Sequence, residues 1–236
     1  MNRVQPPIVS PIQDPLERWV PLSLKLALYG FLSYYFYQAA ETFIEYRPLQ
    51  HWPMLLSTFR MFTFLPIHEA GHLFFSFFGR TTMILGGSIM QVGLMFIWFL
   101  IALRERSHVA PFPLYWVGIN LMDVSLYVRD AQFRALPLLG GDSSGHDWYN
   151  LLTNWNALDS AGTLADVLYL SGIIIAGGGI ASGVVLAFTR FVRSPLPPIP
   201  LPKGIPSAMH VEDILDQSLE QKIKQLRSKP KNPSNE

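Results

Sequence analysis

Cysteine is absent from this chain, which excludes a disulfide framework and any thiolate metal site and leaves the redox compartment unread. Charge is also scarce. Only 15% of the 236 residues are charged while 50% are hydrophobic, and the mean hydropathy of +0.24 lies outside the balance of a soluble domain. The composition therefore predicts an integral membrane protein. A formal net charge of +1, with basic residues clustered only in the C-terminal tail, carries no nucleic-acid signal. Residues 1–20 hold Pro6, Pro7, Pro11, Pro15, Asp14 and Glu17 and lack an apolar h-region, so no cleavable signal peptide is expected and the first span serves as its own targeting signal.

Long apolar runs are what the chain does have. Leu22 to Ala40, Pro53 to Gly79, Thr82 to Leu103, Pro111 to Val128 and Leu164 to Phe188 read as spans, since about 20 apolar helical residues cross a bilayer. The predicted fold is thus all-α, a polytopic bundle of about five transmembrane helices. Residues 1–20 form an N-terminal arm, 21–189 the membrane domain, and 190–236 a linker and tail. Ser194 to Pro206 holds six prolines and predicts an extended linker. After it, Val211, Ile214, Leu215, Leu219, Ile223 and Leu226 share the apolar face of a short helix followed by lysines, suited to docking on a partner or a membrane surface. Five alternating spans place the N-terminal arm opposite the Arg104–Arg106 turn and the tail, and the bias of Lys and Arg then puts the C-terminus in the cytoplasm.

Inside the second run stands Ile67-His68-Glu69-Ala70-Gly71-His72-Leu73. On a helix, residues four apart share a face, so His68 and His72 can reach one metal ion with Glu69 beside them. Catalytic zinc usually takes three protein ligands and a water, whose pKa it lowers to about 7, and a neighbouring carboxylate can accept the proton. Without cysteine, any zinc must be held by His, Asp or Glu. Helix-packing histidines or a haem-ligating pair are the competing readings, but ionisable groups within an apolar segment mark a functional site by default.

Pro66 predicts a break in this run, either starting a fresh helical segment or opening a kink. Arg60 reads as a snorkelling end residue rather than a partner for an internal carboxylate. Gln91 reads as a helix-to-helix hydrogen bonder, or as a group facing the site. Asn120, Asp123, Tyr127, Asp130 and Arg134 recur at helical spacing on one face. Asp123 should point into the bundle, where it ligates metal, pairs with an arginine, or orients a ligand histidine from behind, the last being the usual arrangement. Asn120 is a weak candidate for positioning substrate. The loop that follows offers Asp142, His146 and Asp147 as ligands, or else is an ordinary loop with a helix capped by Asp147. Gly179 and Gly183 have the spacing of close helix packing.

The pattern His68-Glu69-Ala70-Gly71-His72 in an apolar helix, with a later aspartate before another span, resembles the site-2-protease superfamily of intramembrane zinc metalloproteases. That resemblance implies zinc held by two histidines and an aspartate, Glu69 as base, and membrane-protein substrates cleaved at peptide bonds. The family has an Asp-Gly pair after an Asn-x-x-Pro stretch, where this chain has Gly140-Gly141-Asp142 and Gly145-His146-Asp147-Trp148. By resemblance to branches in which an aspartate opens a leucine-bearing segment, Asp147 is the first choice of third ligand, with His146 and Asp142 as alternatives. No PDZ-like insertion is present. Competing functions are a non-catalytic scaffold or assembly factor acting through its tail, a metal transporter, and a metal-dependent hydrolase acting on lipid.

Overall fold

In the computed structural model the described residues are 15–44, 52–136, 138, 145–193, 216–217 and 219–225. Among them every regular element is helical. Helix α1 is Pro15–Ile44, and α2, Met54–Phe59, runs through a π-helical turn, Arg60–Phe64, into α3, Leu65–Phe75. Helix α4 is Arg80–Arg104, α5 Pro111–Asp130, α6 Asp147–Asn154 and α7 Ala161–Arg193. The chain divides into two compact units, residues 13–195 and residues 1–12 with 196–236. All seven helices lie in the first. In the second, residues 216–217 and 219–225 are helical and exposed, and the rest of the predicted apolar-faced helix lies outside the described residues.

Element boundaries shift from those predicted at both ends of the first unit. Helix α1 begins at Pro15, within the supposed arm, and accommodates Pro21, while α7 continues to Arg193. The break in the second run also differs in form. Pro66 stands in the first turn of α3, where its missing N–H is tolerated. Its ring would crowd the carbonyl four residues back, and the turn immediately upstream is widened into a π-helix.

Helix α5 is the centre of the bundle, with fifteen of its twenty residues buried. Glycine lets α7 lie directly on it. A Cβ on Gly172 would meet Met122 at 2.5 Å, and one on Gly179 would meet the Tyr115 backbone at 2.7 Å. Helix α1 packs alongside, with Leu32, Tyr35, Ala39 and Phe43 buried and the Leu32 carbonyl accepting from the Tyr115 hydroxyl at 3.0 Å.

These contacts fix the helix directions. Lys25 to Tyr29 lie beside His108 to Phe112 and Leu32 beside Tyr115, so α1 and α5 run the same way. Helix α7 runs against both, with Gly183 on Tyr29 and Tyr169 donating to the Ala40 carbonyl. Helix α4 is antiparallel to α5, since Trp98 meets Phe112 and Gln91 meets Asp123. The end of α1 and the start of α4 therefore lie at the same end of the bundle. The described part of the segment between them, residues 52–79, starts beside Phe43 near the end of α1 and finishes at the start of α4, at that same end. This corrects the alternating arrangement predicted from five runs: the start of α1 shares an end with the Arg104–Ala110 turn and the close of α7.

Two helices, Arg80–Arg104 and Leu158–Arg193, are long and apolar enough to cross a membrane. Their outward faces are apolar, with Phe96, Ile97 and Ile101 on α4 and Val167, Leu170 and Ile174 on α7 exposed. That is the reverse of a water-facing helix.

Candidate metal centre

Helix α3 is pressed against α4 through glycines. A Cβ on Gly86 would meet Phe75 at 2.7 Å, and Gly71, inside the His-Glu-x-x-His motif, lies on the Gly86 carbonyl. The neighbouring Gly87 leaves room for the His68 ring, which a Cβ there would meet at 2.5 Å. This close approach lets α4 fix both motif histidines. His72 Nδ1 donates to the Met83 carbonyl at 2.8 Å, and His68 Nδ1 lies 3.2 Å from Gln91 Oε1.

Gln91 is oriented from the other side. Its Nε2 donates to Asp123 Oδ2 at 2.8 Å, and because a carboxylate only accepts, the Gln91 oxygen is the atom that faces His68. Asp123 Oδ1 accepts from Arg60 Nε at 2.8 Å. Arg60 is thus buried and ion-paired, not snorkelling as its position near a run end suggested. Its guanidinium also lies over the Trp52 ring at 5.6 Å. Asp123 acts on His68 through Gln91, at one remove from the histidine it was expected to orient, and Gln91 fills both roles considered for it.

The third group comes from α6. Asp147 Oδ2 lies 3.0 Å from His68 Nε2 and 3.2 Å from His72 Nε2, and one ligand atom from each of the three falls within 4.8 Å of the others. Both imidazoles donate through Nδ1, so in the neutral rings two Nε2 lone pairs and a carboxylate oxygen face one another. A shared cation, or protons in its place, relieves that opposition. Tetrahedral zinc, with ligand bonds of about 2.0–2.2 Å, puts neighbouring ligand atoms about 3.3–3.6 Å apart. The two histidine–carboxylate separations lie close to that, while the widest separation in the group, up to 4.8 Å, would have to close for one ion to be held by all three. Burial pushes the Asp147 carboxyl up, and the hydrogen bonds from His68 and His72 outweigh it and hold the carboxyl below its ordinary range.

His146 is the residue the sequence misassigns. It is fully buried, its Nε2 donates to Asp130 Oδ2 at 3.0 Å, and its Nδ1 accepts from the Tyr149 N–H as the N-cap of α6. Both ring nitrogens are engaged away from the metal group, so His146 is a cap rather than a ligand, and Asp147 opens the helix rather than capping it. Asp130 completes this brace by accepting from the Ala135 and Leu136 N–H groups. Tyr127 adds another tie, its hydroxyl accepting from the Asp147 N–H at 3.2 Å. Trp148 Nε1 donates to Ser88 Oγ at 3.1 Å and binds α6 to α4. Asp142 lies outside the described residues.

A cavity of about 270 Å³ opens onto the three groups, lined also by Arg60, Glu69, Gln91, Asp123 and Tyr127. Glu69 is exposed. Asn120 is not brought there. Its amide donates to the Trp116 carbonyl at 2.7 Å, and the residue lines a separate apolar cavity with Phe59, Phe64 and Trp116. Arg134 leaves the polar face as well, with its guanidinium over the Tyr149 ring at 4.3 Å. Comparison with known protein families, characterised proteins and solved structures finds no match.

Proposed function

We propose that this chain is a membrane-embedded zinc metallopeptidase of the site-2-protease type, hydrolysing peptide bonds of membrane-associated substrates. The observation that carries the reading is the convergence of His68, His72 and Asp147, with both Nδ1 atoms held by acceptors, beside Glu69 in one cavity. Zinc held by these three residues supplies a Lewis acid and lowers the pKa of water at the site. Glu69 takes the proton of the attacking water and returns it to the departing amine. Gln91, with Asp123 and Arg60 behind it, keeps His68 in the tautomer that leaves Nε2 free.

The membrane reading is that α1, α4, α5 and α7 cross the bilayer and the segment from Pro53 to Gly79 enters and returns at one face. At one end of the bundle stand Lys25, Arg104, Arg106, Arg190 and Arg193, against Arg80, Arg129 and Arg134 at the other. The bias of basic residues puts the first end, and with it the C-terminus, in the cytoplasm.

The deciding experiment compares wild type with His68→Ala, Asp147→Ala and Glu69→Gln, each purified in detergent and analysed for zinc. About one zinc per chain is expected in wild type and Glu69→Gln and none in the other two. Glu69→Gln should also abolish cleavage of a reconstituted membrane-peptide library. Negligible zinc in all four after metal-replete purification refutes the reading.

A further inference from the structure

At the end of the bundle away from the metal group, a second cavity of about 210 Å³ lies between α1, the turn before α5, and α7. Lys25, His108 and Arg190 line it, one from each of the three, and among the described residues no carboxylate lines it. His108 is held below the usual imidazole range by desolvation and then by the charges of Arg190 and Lys25, as expected where two cations converge on one space. The rest of the lining is apolar. Leu28, Val109 and Leu186 are exposed at 41%, 47% and 38%, so an apolar track leads away from the basic cluster. Its depth is set by Gly183, where a side chain would strike the Tyr29 ring.

We infer that this cavity binds one anionic phospholipid, its headgroup phosphate between Lys25, His108 and Arg190 and an acyl chain along Leu28, Val109 and Leu186. Three donors from three separate elements suit a phosphodiester, and the adjoining apolar track suits a lipid rather than a free anion. Binding there ties the start of α1 to the end of α7, elements far apart in sequence. The inference rests on the membrane reading above and not on zinc or hydrolysis.

The test uses the full chain in dodecyl maltoside, with dioleoyl phosphatidylglycerol, dioleoyl phosphatidylcholine or inorganic phosphate added separately. Retained lipid is counted by native mass spectrometry, and thermal unfolding is followed in parallel. Phosphatidylglycerol should be retained and should raise the unfolding midpoint, while the other two should do neither. Each basic residue near an anionic surface strengthens binding about fivefold, so Lys25→Gln with Arg190→Gln should lower phosphatidylglycerol retention about thirtyfold. Arg80→Gln, at the opposite end, should leave it unchanged. Equal effects of phosphatidylcholine and phosphatidylglycerol on wild type overturn the proposal whatever the variants do, as does equal protection by inorganic phosphate. Unchanged retention by a double variant of normal zinc content also overturns it. Selective retention in a chain without zinc or peptidase activity upholds this site and removes the metallopeptidase reading. A chain that fails to float with liposomes removes both.

Discussion

Adding one methyl group to α4 should dismantle the metal site. A Cβ at position 87 would stand 2.5 Å from His68 Nε2 and 2.7 Å from Cδ2 and Cε1, where ordinary contact begins near 3.4 Å. The ring must therefore retreat by about 0.9 Å or the two helices must part. Retreat is opposed by the hydrogen bond to Gln91 and by the Tyr127 ring at 5.7 Å. Parting of the helices breaks the contact of Gly71 with Gly86. Either response moves Nε2 well beyond the roughly 0.2 Å that a metal–ligand bond tolerates. Gly87→Ala should thus lower zinc affinity by at least the ten- to hundredfold seen when ligand-orienting groups are lost, and cost about 1–3 kcal/mol in overpacking. Gly93→Ala is the control, because a Cβ there meets nothing within 4 Å and alanine is the better helix former by about 1 kcal/mol. The assay is competition for zinc against a chelator of known affinity, with thermal unfolding measured beside it. Zinc affinity within twofold of wild type in Gly87→Ala would show that the fit of His68 against α4 does not govern the site.

Other consequences follow from the groups behind the ligands. Arg60→Met strands a buried carboxylate and should cost about 3–5 kcal/mol in chemical unfolding, with most of the loss recovered by adding Asp123→Leu; no recovery would mean that the pair does not act as a unit. Gln91→Leu removes the acceptor that holds His68 Nδ1 and should weaken zinc binding about ten- to hundredfold in the chelator assay, whereas unchanged affinity would dismiss its orienting role. His146→Asn keeps an oxygen able to cap α6 and should retain one zinc per chain by elemental analysis, at a stability cost of about 1–3 kcal/mol from the lost hydrogen bond between His146 and Asp130. Loss of zinc without loss of stability would make His146 a ligand after all.

How much of this was legible in the sequence depended on whether a property is local. The four-residue spacing of His68 and His72 sets a shared helical face whatever surrounds it, and the structure brings both to Asp147. Asp147 itself came from resemblance, since aspartate and histidine serve equally well as ligand and as cap and the loop alone does not separate them. What separates them is Asp130, whose carboxylate claims His146 from 16 residues away. Arg60 was misread for a related reason: hydropathy reports depth along a run but not a partner 63 residues distant. Asn120 shares the helical face of Asp123, yet its short side chain turns back to the carbonyl one turn earlier, an option that spacing does not exclude. That α1 ends and α4 begins at the same end of the bundle was hidden because a long apolar run carries no record of where its two ends lie. Only the pairing of α1 with α5 reveals it.

The division of the metal group between α3 and α6 also sets an order of events during synthesis. His68 and His72 emerge together and can be placed as soon as α3 lies on α4. Asp147 follows some 75 residues later and arrives only when His146 has capped α6 and Trp148 has reached Ser88. Under the proposed zinc reading, an ion captured early would be held by two ligands and exchange readily, while one captured late would be clasped by three. A nascent chain stalled before residue 147 should then release zinc to a weak chelator that the finished protein resists.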